Sequence, residues 1–257
     1  MVANFRVPMG MTQKKLAELA GIHEETIASI EQGRRPLQPD VATRLDTILN
    51  TKGTLSVAVR HLPDFDQAPR GAEAYFEYER EALTICWYEA HIVPGLLQTE
   101  AYALSLFRGR VPTFPEKVIE RHMETRMGRQ EILRRDQPPS LTFVLWEPIL
   151  LNPLGGPDVH AEQVRHLRAC ADLPFLTLQV MPLSSTGHPG VNGAFLTLET
   201  PEHQLLAYAE SQHGSSLIMD PEEVSVLSQR YGMLRTQALN VGETRDLLDR
   251  RLGELEP

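Results

Sequence analysis

The chain has 257 residues, 42% hydrophobic and 23% charged, with 25 Lys and Arg against 34 Asp and Glu for a formal net charge of −9. That length holds two domains and a sizeable core, and the polar balance excludes a disordered or fibrous chain. There is no apolar run of about 18 residues, the opening MVANFRVPMG lacks the apolar centre of a secretory signal, and Cys86 and Cys170 stand without CxxC or a histidine cluster, which argues against a membrane span, secretion, a disulfide scaffold or structural zinc and for a reducing cytoplasm.

Eleven residues precede Thr12, and Pro8 and Gly10 interrupt them. Proline inside a helix costs about 3 kcal/mol, so a first helix is expected to be missing or shortened. Residues 12–36, TQKKLAELAGIHEETIASIEQGRRP, then read as two short helices around a glycine turn. Thr12 is placed to N-cap the first helix, and Leu16, Leu19 and Ala20 form its apolar stripe. Gly21 suits the left-handed turn, and Ile22 enters the core. Ile27 and Ile30 share the inner face of the second helix, Glu24, Glu25, Thr26 and Ser29 point outward, and Gly33 ends it.

This stretch resembles the lambda-repressor-like (XRE-type) helix-turn-helix family in Thr12-Gln13, Leu16-Ala17, Gly21-Ile22, Ile27, Glu31-x-Gly33 and Pro36. The resemblance implies that the start of the second helix enters the DNA major groove. Thr12, Gln13, Lys14, His23, Glu25, Thr26 and Ser29 form the candidate DNA-facing set, and Arg34 and Arg35 suit phosphate clamping. Each has a plainer reading. Glu24 and Glu25 complement the helix dipole, and Arg34 and Arg35 are a solvated loop pair. Family members usually carry Ser, Arg, Gln or Thr where His23-Glu24-Glu25-Thr26 stands here. Residues 1–62 hold eight Lys/Arg and six Asp/Glu, a net +2, which leaves −11 for the remainder. DNA contact is therefore expected in the first domain alone, and its weak positive charge calls for a homodimer on double-stranded DNA.

A further helix is predicted over Asp40–Asn50, and residues 55–62 extend the helical domain. The prolines and glycine of residues 63–71 mark a linker, with a second domain over 72–257. There the pattern predicts strands at 83–88, 141–145 and 176–181, and an antiparallel pair at 194–198 and 205–209. Helices are expected from Thr99 to Arg108, over 115–135, over 158–171, over 221–239 with Pro221 in the first turn, and over 243–255; GHPGVN (187–192) reads as a turn or loop. The fold class is α+β, a small all-α domain followed by a mixed α/β domain.

YEREALTI (78–85), VPGLLQTEAYA (93–103), RQEIL (129–133), LTFVLWE (141–147) and LTLQVMPLSSTGHPGVNGAF (176–195) resemble the C-terminal domain of an actinobacterial group of XRE-type regulators. That resemblance implies a sensor or partner-binding module, taking a small-molecule effector or a small partner protein in an antitoxin-like arrangement. Trp87, Glu89, Trp146, Glu147, His188, Asn192, Tyr208 and Glu210 are its candidate ligand-binding residues. Glu89, Glu147 and Glu210 each end an apolar strand. On neighbouring strands they would converge for acid–base work or, with the tryptophans, for binding a cation; otherwise they end strands at solvent. Neither GxSxG, HExxH, GxGxxG nor a phosphate-binding GxxxxGK[ST] occurs, and no cofactor is expected. The leading reading is a transcriptional regulator. The alternative is a regulator-derived protein that has lost DNA binding and uses its second domain as a ligand-binding protein or enzyme.

Overall fold

The computed structural model describes residues 2–32, 37, 39–60, 72–211 and 214–255. The chain divides into two compact units, residues 1–66 and 67–257. The first is helical: α1 (Val2–Arg6), a 3-10 turn (Val7–Met9), α2 (Gln13–Ala20), α3 (Glu24–Glu31), α4 (Pro39–Ile48) and α5 (Thr54–Arg60). The first helix is shortened, not missing. Pro8 turns it into the 3-10 geometry, and Gly10, at φ +64°, stops it by donating its N–H to Val7 O at 3.0 Å.

What remains of that helix still packs. Val2 is buried, and Phe5 lies against Leu16, Ala17, Ala20, Ile27, Val41, Leu45 and Leu55 in one core. Leu19 departs from expectation. It is 51% exposed, and Ala17 takes its place on the inner stripe of α2. Helical spacing accounts for this, because Leu16, Ala17 and Ala20 subtend one face and Leu19 lies beside it. Asp46, near the end of α4, reaches the start of α5 and accepts from Leu55 N and Ser56 N, both at 2.8 Å, and from Thr51 Oγ1. It serves α5 as a remote N-cap.

The second unit opens with α6 (Ala72–Glu81), followed by β1 (Thr84–Glu89), α7 (Glu100–Arg108), α8 (Glu116–Arg129), β2 (Ser140–Trp146), α9 (Pro157–Cys170), β3 (Leu176–Met181), β4 (Phe195–Glu199), β5 (Leu205–Ser211), β6 (Gly214–Ile218), α10 (Pro221–Gln237) and α11 (Val241–Leu255). The long helix expected over 115–135 stops at Arg129 and finishes as a 3-10 turn, Gln130–Arg134. Thr99 and Asp220 N-cap α7 and α10 through their side chains, and Pro221 occupies the first turn of α10.

Among the described residues the strands form one mixed sheet in the order β3-β2-β1-β4-β5-β6. β1, β2 and β3 are parallel, while β4, β5 and β6 continue from β1 by antiparallel pairing. The two-residue period of a strand sorts the side chains into two layers. Ile85, Phe143, Leu145, Leu178, Leu198 and Tyr208 pack under α6, α7, α9 and α11. Tyr88, Val144, Met181 and Phe195 pack on the opposite face under Tyr231 and Leu234 of α10.

Candidate functional site

Two places merit attention: the outer surface of α2 and α3, and the edge of the sheet where the parallel strands end. In the first unit Thr12 caps α2 by accepting from Lys15 N at 3.1 Å. Gly21, at φ +66°, makes the turn, and its N–H reaches back to Ala17 and Glu18. His23 stands at the N-cap of α3 with extended backbone and no side-chain cap bond, and Glu24 and Glu25 fill the first turn. Ile27 is fully buried, while His23, Glu24 and Glu25 are exposed and Thr26 and Ser29 half-buried. Thr12 and Lys14 are exposed on α2. Arg34, Arg35, Gly33 and Pro36 lie outside the described residues.

Gln13 is held differently from a free surface residue. Its Nε2 donates to Glu31 Oε2 at 2.7 Å. Glu31 also takes both arms of Arg6, Nε at 2.7 Å and Nη2 at 2.8 Å, and Arg6 Nη1 donates to Met11 O at 2.6 Å. The Arg6 hydrogen bonds, more than offsetting burial, hold the Glu31 carboxyl below its ordinary range, with Gln13 assisting. One end of the second helix of the pair is thereby tied to both preceding helices. Arg44, which the sequence did not mark, donates Nη1 to Ala20 O at 3.0 Å and so closes α2 from α4.

At the sheet edge the alternation along β1 separates the candidate residues. Trp87, Glu89, Tyr208 and Glu210 belong to the α6/α7/α9 layer, whereas Trp146 and His188 belong to the α10 layer. In the first group Arg129 forms a bidentate pair with Glu79, both bonds 2.7 Å, and its guanidinium lies 4.1 Å from the Phe76 ring centroid. Tyr75 donates to Glu79 and stacks on Tyr208 at 4.1 Å, and Tyr208 donates to Glu210 at 2.8 Å. Gly95 lies against Arg126, where a Cβ would meet Nη1 at 2.1 Å. Burial, then the like charge of Arg129, brings Arg126 down to about 10.

The three carboxylates do not form one cluster. Glu89 accepts from Ala90 N at 2.9 Å and His91 N at 3.2 Å, and burial raises its pKa, with Glu210 adding to the rise. β4 stands between β1 and β5, so their backbones are separated by two strand spacings, about 9.6 Å. Glu147 has left β2 for a 3-10 turn, where it accepts from Leu183 N at 2.7 Å and faces Arg251 at 3.7 Å. Cys86 and Cys170 both have thiols pushed up by burial, Cys170 to about 11, which suits inert thiols.

The other face holds a cavity of about 190 Å³ lined by Tyr88, Ala90, His91, Trp146, His188, Gly190, Val191 and Gly193. The connection from β3 to β4 runs over the ends of β2 and β1, and its 3-10 turn Pro189–Asn192 roofs the space. Trp146 and His188 are the expected members; Asn192 is exposed and outside the lining. Tyr88 was missed, although in LTICWY the strand period sets it opposite Trp87. Among the described residues the buried Tyr88 Oη and His188 Nδ1 have no hydrogen-bond partner. Burial, and then Glu89, pushes the Tyr88 hydroxyl up to about 12, so it remains a donor. Among the described residues no group of His, Cys, Asp and Glu fits a metal ion, and no helix is long and apolar enough to cross a membrane.

Comparison with known proteins matches residues 72–250 to the model of a domain of unknown function, DUF5753. Residues 2–55 match a helix-turn-helix model. Nothing matches among curated proteins or among solved structures.

Proposed function

Because the chain belongs to the DUF5753 family, a domain of unknown function that here follows a helix-turn-helix, we propose a transcriptional regulator that binds double-stranded DNA as a homodimer in the cytoplasm. Its second unit binds a small molecule or a small partner protein, and that binding alters DNA affinity. The helix-turn-helix match supports the DNA-binding part. One structural observation carries the reading: the short α1 completes a closed core around Val2, Leu16, Ile27 and Leu45, and the outer start of α3 stays exposed within its unit. This favours a working reading head over a degraded one.

In this reading His23, Glu25, Thr26 and Ser29 face base edges or backbone, and Thr12, Gln13 and Lys14 flank them at the phosphates. Glu25 accepts from cytosine N4. Gln13 contributes only what its bond to Glu31 leaves free. Arg34 and Arg35 neutralise phosphate. With a net charge of +2 over residues 1–62, affinity depends on two copies sharing one operator. Effector control requires different affinities in the two states, and a coupling of about 5–150-fold is the usual range.

The test is binding of the full chain to its own upstream DNA and to random duplex across a salt titration. Selective binding that falls steeply with salt is expected, and Lys14→Ala and Arg34→Ala should each flatten the slope by about one unit per contacted phosphate. A folded protein with no salt-dependent binding would refute the regulator and leave the second unit as the working part.

A further inference from the structure

We infer that the cavity between Tyr88, Trp146 and His188 binds an uncharged single-ring molecule carrying an amide-like pair, one hydrogen-bond acceptor and one N–H donor. The inference deepens the effector reading above and rests on it only for the consequence at DNA.

Size is the first constraint. A protein cavity of about 150 Å³ is known to admit benzene, and this one measures about 190 Å³. It therefore holds one ring and a small substituent, below the usual range for drug-sized ligands. Shape is the second. The His188 ring centroid lies 6.2 Å from that of Trp146 and 6.2 Å from that of Tyr88, with interplanar angles of 58° and 66°. Three rings thus wall the space, and they offer a flat ligand both face and edge contacts.

Polarity is the third constraint. Buried polar groups in proteins are nearly always paired, because leaving one unmade forfeits its hydration with nothing in return. Here two such atoms border the same cavity, Tyr88 Oη and His188 Nδ1. Tyr88 is fully buried and His188 is 5% exposed. The tyrosine hydroxyl donates, so it asks for an acceptor. With its other nitrogen protonated, the imidazole Nδ1 accepts, so it asks for a donor. Among the described residues no Lys, Arg, Asp or Glu lines the space, and the lining His91 already faces Glu89 at 3.6 Å, so a charged ligand would enter without a free counter-ion. Gly190 sets the roof. A Cβ there would stand 2.3 Å from Tyr88 Cζ, so only glycine brings the turn down on the ring.

The experiment is calorimetric titration of the full chain with four probes on one ring: benzamide, benzoate, benzamidine and toluene. Benzamide is expected to bind tightest. Tyr88→Phe should weaken benzamide about 3–10-fold, the worth of one hydrogen bond, and leave toluene unchanged. Val191→Trp, at a lining position that is 73% exposed and so carries little of the fold, should block every probe. Benzoate or benzamidine binding as well as benzamide would overturn the uncharged class. Binding untouched by both substitutions would place the ligand elsewhere, and no binding by any probe would overturn the site. DNA affinity, measured with and without benzamide, separates the two readings. Benzamide binding to a chain that ignores DNA keeps this inference and removes the regulator. DNA binding by a chain that ignores all four probes does the reverse.

Discussion

Glu31→Ala should nearly unfold the first unit while leaving the second intact. The Glu31 side chain is 5% exposed and that of Arg6 13% exposed, and the carboxylate collects three hydrogen bonds, two from Arg6 and one from Gln13. Truncating Glu31 leaves a guanidinium without its counter-charge, a change that costs about 3–5 kcal/mol when the pair is buried. At about 0.05–0.15 kcal/mol per residue, a unit of 66 residues has about 3–10 kcal/mol in total. Both tryptophans, Trp87 and Trp146, lie in the second unit. In a urea titration tryptophan emission therefore reports that unit alone, and far-UV circular dichroism reports both. The dichroism transition of the first unit should move to low urea in Glu31→Ala, with the emission transition fixed. Arg6→Met combined with Glu31→Leu should recover most of the loss, since burying neither charge avoids the desolvation cost. A loss below about 1 kcal/mol in Glu31→Ala, or no recovery in the double variant, would show that the pair is solvated and the reasoning wrong.

Asp46 supplies an acid-sensitive element in the same unit. Burial works to raise its pKa, but hydrogen bonds from Ser56, Thr51 and Leu55 prevail and bring it to about 2. Its stabilisation is thus complete above the unfolded value of about 4 and is lost as pH falls toward 2. It is worth about 2 kcal/mol, and dichroism-monitored acid unfolding should be blunted over this window in Asp46→Asn. Glu31, whose carboxyl is also held low, acts with the same sign. In the second unit Glu79→Ala should cost about 3–5 kcal/mol by stranding Arg129 between Tyr75 and Phe76, read as an earlier emission transition. Gly190→Ala should cost about 1–3 kcal/mol by overpacking against Tyr88, and a melting temperature equal to that of the unsubstituted chain would mean the roof is free to lift.

Where the structure was legible in the sequence, the determinant was local. The Thr12, Thr99 and Pro221 helix starts, the Gly21 turn and the β-branched strands at 141–145 and 176–181 each depend on a few adjacent residues. β6 was not legible, because GSSLI carries two serines and a glycine and gains its strand geometry only by pairing with β5 at the sheet edge. α6 was legible in AEAYFEYERE, whose Ala, Glu and Arg residues are strong helix formers, and went unread; its position is what sequence does not supply, since Tyr75 is fixed by stacking on Tyr208, far along the chain.

The candidate site divides for a related reason. Grouping Trp87, Glu89, Trp146, Glu147, His188, Tyr208 and Glu210 treats strand ends as points, but a strand end has two faces. Tyr88 and Glu89 are consecutive, yet the first borders a cavity lined, among the described residues, by no Lys, Arg, Asp or Glu, and the second shares its layer with Arg129, Glu79 and Glu210. Period two along LTICWYE is enough to make that separation from sequence. What it cannot supply is the strand order, which puts β4 between Glu89 and Glu210 and carries the β3–β4 connection across β1 and β2 to bring His188 over Tyr88. In the charged layer Arg129 pairs with Glu79 and Tyr208 with Glu210, so these four groups satisfy one another. On the other face two buried polar atoms unpaired among the described residues, Tyr88 Oη and His188 Nδ1, border one cavity. An unmet hydrogen bond is what a ligand can exchange for its own hydration, and for that reason the aromatic cavity, not the carboxylate-rich layer, is the better place for an effector.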